Sequence, residues 1–201
     1  MDITRQNWFD VRGDETLALD WPLTPMSHVW EIGGFEGRWV GQIAHKFNCY
    51  VGVFEPQKWA VERMIDKFGG NDKIAIHPYG LWIDNGFLRM SSFFTDGANV
   101  FGKQDSDARV ELGEFRLYSD ILEVFPHPID VALMNVEGAE YFLLPAMIKT
   151  GWIEKFDHFW CQFHPSMELV KGQSESIMDG MLDTHDLLWD CFPMAVAWRR
   201  K

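Results

Sequence analysis

The chain has 201 residues, which fits one domain, and its 47% hydrophobic and 24% charged residues are ordinary for a folded globular protein. A net charge of −12, with no basic run before Arg199-Arg200-Lys201, argues against a nucleic-acid partner and against an anionic membrane surface. Three cysteines without CxxC spacing predict neither a disulfide framework nor a metal site, and without a leader-like N-terminus a cytoplasmic location is expected.

Residues 1–27 are irregular in pattern and are predicted to form an arm packed on a domain of residues 28–201. In that domain, strand-like runs at 28–32, 49–54 and 73–79 alternate with helical spacing from Glu36 to Phe47 and from Trp59 to Phe68. A β-α-β-α-β series implies right-handed crossovers and therefore a parallel sheet with helices on both faces.

The middle of the chain departs from this alternation. Asp84-Asn85-Gly86 is a turn signal between two apolar runs and predicts a β-hairpin. The polar segment 91–107 carries Phe93, Phe94 and Phe101, so it is interpreted either as a lid over a ligand or as an ordinary surface excursion.

The parallel pattern then resumes. Helices are predicted at 117–125, 139–150 and 174–188, and strands at 129–136, 156–163 and 194–198. The predicted fold is α/β: a doubly wound, mostly parallel sheet with helices on both faces and an antiparallel C-terminal strand.

A glycine turn follows the first strand. Gly33, Gly34 and Gly37 allow a sharp turn and close approach of the backbone to a ligand at the start of a helix. Glu55 ends the next strand, where a carboxylate can accept hydrogen bonds from both ribose hydroxyls of a nucleoside. Its alternative role is that of a carboxylate stabilised by a helix N-terminus.

The acids around the turn bear on the choice of nucleoside. Glu36 near the helix start would repel a diphosphate, and Glu31 adds a second carboxylate. A ligand carrying an ammonium and a sulfonium suits this acidic environment better than a dinucleotide does.

A second cluster lies where the strand at 129–136 ends. Asn135, Glu137 and Glu140 meet there, and the i, i+3 spacing of the two acids lets them face the same way. Capping of the following helix is the alternative role for one of them. His164, after the next strand, is a candidate general base, although a lone histidine also serves structural roles.

Three motifs together resemble the FkbM family of S-adenosylmethionine-dependent methyltransferases, over about Val29 to Pro165. They are Trp30-Glu31-Ile32-Gly33-Gly34-Phe35-Glu36-Gly37, Val53-Phe54-Glu55-Pro56, and Ile129-Asp130 through Asn135-Val136-Glu137-Gly138-Ala139-Glu140, with Gln162-Phe163-His164 similar to the family's E-x-H strand end. The resemblance implies a Rossmann-like methyltransferase fold that binds S-adenosylmethionine. It places Glu31, Gly33, Gly34, Phe35 and Gly37 at the methionine part, Glu55 at the ribose, and Gly80 and Leu81 beside the adenine, with Asn135 also at the cofactor.

The resemblance also has departures. Leu133, Asn135 and Gln162 stand where the family has Lys, Asp and Glu, and each change removes a charge from the expected site.

The predicted function is methyl transfer to a hydroxyl of a sugar or other small metabolite, with no nucleic-acid or membrane partner. His164 is the predicted base, assisted by Glu137 and Glu140, and no metal is expected. Two alternatives are a catalytically silent domain that binds S-adenosylmethionine or another nucleoside, and a dinucleotide-dependent oxidoreductase.

Overall fold

A computed structural model describes residues 6–92, 109–165 and 172–201 of the chain. In chain order its main elements are β1 (His28–Ile32), α1 (Arg38–Phe47), β2 (Tyr50–Phe54), α2 (Lys58–Phe68), β3 (Ile74–His77), β4 (Gly80–Trp82), β5 (Gly86–Ser92), β6 (Arg109–Leu117), α3 (Tyr118–Val124), β7 (Ile129–Met134), α4 (Glu140–Thr150), β8 (Phe156–Cys161), α5 (Gln173–Met181), β9 (His185–Cys191) and β10 (Ala195–Arg200).

The main sheet has the strand order β3-β2-β1-β7-β8-β10-β9. Strands β3, β2, β1, β7 and β8 pair in parallel, whereas β10 is antiparallel to both of its neighbours. Helices α1 and α2 pack on one face through Val40, Ile43 and Met64, and α3, α4 and α5 contribute to the core on the other. The predicted doubly wound sheet with an antiparallel C-terminal strand is confirmed.

The predicted β-hairpin at Asn85 is wrong. Strands β4 and β5 do not pair with each other; both pair with β6, β4 in parallel and β5 antiparallel, in a small second sheet. The Asn85 side chain accepts a hydrogen bond from the Leu117 backbone N–H at 2.8 Å, so the turn is tied to the end of β6 rather than closing a hairpin.

The helix predicted at 174–188 is also partly wrong. Helix α5 ends at Met181, and His185–Cys191 forms strand β9, which pairs with β10. Short apolar runs such as Leu187-Leu188-Trp189 suit either structure, and here the cross-strand pairing decides. The segment interpreted as a lid or surface excursion lies largely in 93–108, outside the described residues.

Residues from Gln6 to Ser27 lie against the α1 side of the sheet. Trp8 and Trp21 are buried, and the Trp8 ring stacks on Trp160 with centroids 5.9 Å apart. The Ala18 carbonyl accepts hydrogen bonds from the indoles of Trp21 (2.9 Å) and Trp39 (2.8 Å). No helix in the described part of the chain has the length and apolar character needed to cross a membrane.

Candidate functional site

A crevice lies at the carboxyl edge of the sheet, where β1 is flanked by β2 on one side and β7 on the other. The chain leaves β1 and β7 toward opposite faces here, which is where open α/β sheets bind ligands. The crevice encloses about 670 Å³, counting the part open to solvent. Its described lining is Ile32, Gly33, Phe35, Phe54, Glu55, Pro56, Gln57, Gly80, Leu81, Met90, Phe115, Asn135, Val136, Glu137 and Ala139.

The glycine turn after β1 is held tightly by its neighbours. Gly33 has φ +87°, and a Cβ at this position would overlap the carbonyl oxygen of Asn135, so only glycine fits. Gly33 and Phe35, two of the residues predicted to contact a cofactor, line the crevice. Gly34 and Gly37 instead lie against Met64 and neighbouring side chains beneath the turn. The predicted turn is present, and only part of it faces the crevice.

Glu55 fastens the turn from the end of β2. Its side chain is 3% exposed, and it accepts hydrogen bonds from the backbone N–H of Phe35 at 2.7 Å and of Gln57 at 2.8 Å. Burial raises the pKa of Glu55 to about 7, although these hydrogen bonds act in the opposite direction. Each carboxylate oxygen keeps a further lone pair that a ligand hydroxyl in the crevice can use.

Glu31 lies outside the lining of the crevice. It is buried beneath the turn, where its carboxyl accepts a hydrogen bond from the Val40 backbone N–H at 3.3 Å in the first turn of α1. Burial raises the pKa of Glu31 well above its ordinary value. The structure therefore places this residue where it supports the turn from below rather than where it meets a ligand directly.

Gly80 and Leu81, predicted beside the adenine, line the opposite wall. Phe115 of β6 covers Gly80, because a Cβ on this glycine would stand 2.5 Å from the phenyl ring. Met90 of β5 completes this apolar wall, and a flat apolar surface suits a heteroaromatic ring. Neither Phe115 nor Met90 was predicted, because their contribution depends on the β4-β6-β5 pairing.

The predicted catalytic residues form one cluster behind the end of β7. His164 Nδ1 lies 3.0 Å from Glu140 Oε1, and His164 Nε2 lies 3.1 Å from Glu137 Oε1. Glu140 is fully buried and also accepts hydrogen bonds from the backbone N–H groups of His164 and Gly138, both at 2.8 Å. Of the three residues, Glu137 is the one that belongs to the described lining of the crevice.

The two carboxylates determine the charge of His164. Burial by itself lowers the pKa of this imidazole, but the hydrogen bonds and charges of Glu137 and Glu140 raise it to about 9. His164 is therefore a cation near neutral pH. Glu137 has φ +50°, a left-handed conformation that is unusual for a residue with a side chain and that directs it toward this ion pair.

Asn135 presents an unused acceptor to the site. Its backbone N–H bonds to the Ile32 carbonyl at 2.9 Å and ties β7 to β1. Its side-chain Oδ1 is buried without a hydrogen-bond partner among the described residues, while the residue lines the crevice. A buried acceptor of this kind is costly to leave unpaired, so a ligand N–H or O–H would be stabilised here.

Two charge-based expectations change with the structure. Glu36 pairs with Arg63, so its negative charge at the turn is balanced. Leu133 belongs to the core on the α1 side of the sheet, together with Trp39 and Val131, and does not line the crevice. The presence of Leu133, where the FkbM family has Lys, therefore removes no charge from the crevice.

Several lining residues were missed by the sequence analysis. They are Ile32, Phe54, Pro56, Gln57, Val136 and Ala139, in addition to the two from the small sheet. Most of them adjoin a predicted residue in sequence, so adjacency to a strand end would have been enough to find them.

No protein-family model and no curated protein matches the chain. Solved structures do match its fold. A protein assigned as an rRNA methylase from Clostridium thermocellum has a TM-score of 0.59 at 10% identity, with 98% of each chain covered. An rRNA methylase from Streptococcus thermophilus has a TM-score of 0.53 at 11% identity, with 94% of each covered. A protein assigned as a methyltransferase from Streptococcus mutans, in complex with SAH, has a TM-score of 0.52 at 11% identity, covering 98% of this chain and 100% of its own.

The prediction of a small-molecule acceptor and no nucleic-acid partner is wrong, because the similar structures include methylases of rRNA. The physical reason is that a net charge averages the whole surface, whereas a substrate is recognised by the groups it contacts locally. The strand order, the position of the crevice and these similarities lead to one conclusion: the chain has a Rossmann-like methyltransferase fold.

Proposed function

We propose that the chain is an S-adenosylmethionine-dependent methyltransferase. The observation that carries this proposal is the buried Glu55. It lines the crevice between β1 and β7, where the chain leaves the sheet toward opposite faces, and it accepts a hydrogen bond from the Phe35 N–H of the glycine turn. A carboxylate in this place matches the two hydroxyls of a ribose. SAH in one of the structures with a similar fold gives independent support for the same cofactor.

The hydrogen bonds of the turn favour this cofactor over a dinucleotide. The N–H groups of Gly33 and Gly34 donate to the Phe54 carbonyl, and that of Gly37 donates to the Gly34 carbonyl. The Phe35 N–H donates to Glu55. A pyrophosphate needs such N–H groups free at a helix N-terminus, and here they are already used within the protein.

The residues of the crevice fit S-adenosylmethionine part by part. Gly33 and Phe35 would contact the methionine portion, Glu55 the ribose, and Gly80 with Leu81 and Phe115 the adenine. The acidic groups Glu55 and Glu137 would favour its positive charge, and the unpaired Asn135 Oδ1 offers an acceptor to an N–H or O–H. When bound, this cofactor supplies an electrophilic methyl group.

We further propose that the methyl acceptor is a hydroxyl oxygen whose proton is received at Glu137. This carboxylate reaches the crevice, and the His164 cation behind it balances its charge. Glu140 holds His164 at the Nδ1 side and fixes the ring orientation. His164, the base predicted from sequence, would take a proton directly only after losing its own.

Calorimetry with S-adenosylmethionine and S-adenosylhomocysteine tests the cofactor. Wild type is expected to bind both, and Glu55→Ala to bind at least tenfold more weakly, since a buried carboxylate partner of the ribose is lost. Glu62→Ala is the matched control, because this exposed carboxylate on α2 faces solvent. If wild type binds neither compound, or binds NAD instead, the proposal fails.

Transfer of a labelled methyl group to a panel of acceptors tests the activity. The panel contains RNA, because the similar structures include rRNA methylases, and hydroxylated compounds of other classes. Binding of S-adenosylhomocysteine without transfer to any of them would favour the silent-domain alternative. The resemblance to the FkbM family stays a prediction.

A further inference from the structure

Gln57 contributes a buried side-chain amide to the crevice. It stands directly before α2, and its backbone N–H donates to Glu55 Oε1 at 2.8 Å. The residue is 4% exposed and lines the crevice beside Glu55. Its side chain makes no capping hydrogen bond to α2, all of whose residues the structure describes. The usual task of a polar side chain before a helix is therefore not the one that this amide performs.

The indole of Trp59 determines which way the Gln57 amide points. Trp59 Nε1 lies 3.0 Å from Gln57 Oε1. An indole nitrogen can only donate, so the amide atom in contact with it has to be the oxygen. The amide nitrogen is therefore left to face Glu55. Burial raises the pKa of the Glu55 carboxyl, and a hydrogen bond from the Gln57 side chain opposes this rise.

The Trp59 ring is itself held on two sides. It meets Phe35 of the glycine turn edge to face, with centroids 5.3 Å apart and an angle of 84°. The guanidinium of Arg63 lies 5.2 Å from the centre of the ring, and Arg63 also pairs with Glu36 of the turn. Because the ring is fixed by these contacts, it holds the Gln57 amide in one orientation at little further cost in entropy.

A hydroxyl group of a ligand uses both an acceptor and a donor in its binding site, because it gives one proton and accepts on its oxygen. The ionised Glu55 carboxylate can supply the acceptor and nothing else. The Gln57 amide nitrogen carries two N–H groups and stands next to it, so it can supply the donor. The hydrogen bond from the amide to Glu55 can thus pass to the oxygen of a hydroxyl that donates its own proton to the carboxylate.

We propose that Gln57 is a specificity-determining residue of the ribose site: its Nε2–H donates to the oxygen of the ribose hydroxyl whose proton Glu55 accepts, and Trp59 keeps the amide in that orientation. The inference rests on the proposed ribose site at Glu55 and goes beyond it by assigning the donor. A site that pairs with a hydroxyl in both directions rejects a deoxy sugar, because the deoxy form offers neither the proton nor the accepting oxygen.

Calorimetry with ribose compounds and their deoxy forms tests this inference. One series is S-adenosylhomocysteine with its 2′-deoxy and 3′-deoxy forms, and the other is adenosine with the same two changes. Wild type is expected to bind the ribose compound at least tenfold more tightly than one of its deoxy forms. Gln57→Leu keeps Glu55 but removes both N–H groups. It should weaken binding of the ribose compound at least fivefold and binding of that deoxy form less than twofold.

Two further variants separate recognition from packing. Trp59→Phe keeps an aromatic ring but removes the indole N–H that orients the amide, so it should lower the preference for the ribose compound at least twofold. This variant also carries the test if Gln57→Leu does not fold. Gln42→Leu makes the same exchange on α1, at a residue outside the described lining of the crevice, and should leave every affinity unchanged.

The outcomes distinguish this inference from the proposed function. Equal weakening of the ribose and deoxy compounds by Gln57→Leu would indicate a structural role alone and would overturn the inference, as would a wild type that does not discriminate between them. Binding of the adenosine series with the expected pattern, but not of S-adenosylhomocysteine, would refute the methyltransferase proposal and support the ribose donor. A wild type that binds neither series would overturn both.

Discussion

The ion pairs of His164 make the stability of the protein depend on pH in a defined direction. The pKa of His164 is about 9 in the folded protein, against the ordinary value of 6.5 that applies in the unfolded chain. Between these values the folded state retains a proton that the unfolded state has released. The contribution of His164 is therefore complete below pH 6.5 and is lost as pH rises through about 9.

The size of this effect follows from the shift in pKa. A difference between 6.5 and about 9 corresponds to roughly 3 kcal/mol, at about 1.4 kcal/mol for each pH unit. The side chain is 17% exposed and its partner Glu140 is fully buried, so screening by solvent is limited. The raised pKa of Glu55 acts in the same direction but mostly below pH 7.

Urea denaturation at intervals from pH 6 to pH 10 measures the effect, with His164→Gln as the comparison. The free energy of unfolding of wild type should fall by about 3 kcal/mol more than that of the variant over this range. Subtracting the two curves removes the contributions of other groups, including Glu31 and Glu55. Parallel curves for the two proteins would refute the assignment of a protonated, doubly paired His164.

Three further outcomes are expected. Gly33→Ala should lower the free energy of unfolding by more than about 2 kcal/mol in a denaturation experiment, because residue 33 has φ +87° and the new Cβ would overlap the Asn135 carbonyl. Gly70→Ala is the control and should change this free energy little, because the space around Gly70 is open. Binding of S-adenosylhomocysteine, measured by calorimetry, should tighten about tenfold from pH 6 to pH 8, because Glu55 with a pKa of about 7 must ionise to accept two ribose hydroxyls. Glu55→Gln should bind weakly, with an affinity that does not change with pH. A wild-type affinity that is independent of pH would contradict the role of Glu55 at the ribose. Trp8→Ala should lower the free energy of unfolding by about 3–5 kcal/mol in thermal or urea denaturation, because it removes a buried indole that stacks on Trp160. Phe9→Ala, at an exposed position, should lower it little. Equal effects of the two substitutions would argue against an N-terminal arm packed on the domain.

Local patterns in the sequence were enough to locate the candidate site. The turn at Gly33, the acid Glu55 and the segment from Asn135 to Glu140 each follow a strand, and the carboxyl ends of parallel strands meet at one edge of a sheet. Because each of these residues follows a parallel strand, the sequence was enough to predict that they lie together at one crevice. The same argument placed His164 at this edge, after β8.

Contacts between distant segments decided the rest. The pairing of β6 with both β4 and β5 brought Phe115 over Gly80, and the pairing of β9 with β10 replaced half of a predicted helix by a strand. Hydrophobic periodicity describes one segment at a time, so it does not predict which strands pair with each other.

The sequence by itself determined the α/β class, the glycine turn and the position of Glu55 and Glu137 at the carboxyl edge of the sheet. The tertiary structure alone decided that Glu31 supports the turn from beneath it, that His164 is held as a cation between Glu137 and Glu140, and that the Trp59 indole orients the amide of Gln57. The physical reason is that residue identity and spacing set secondary structure and strand ends, whereas burial, pKa and open space depend on every element packed around a group.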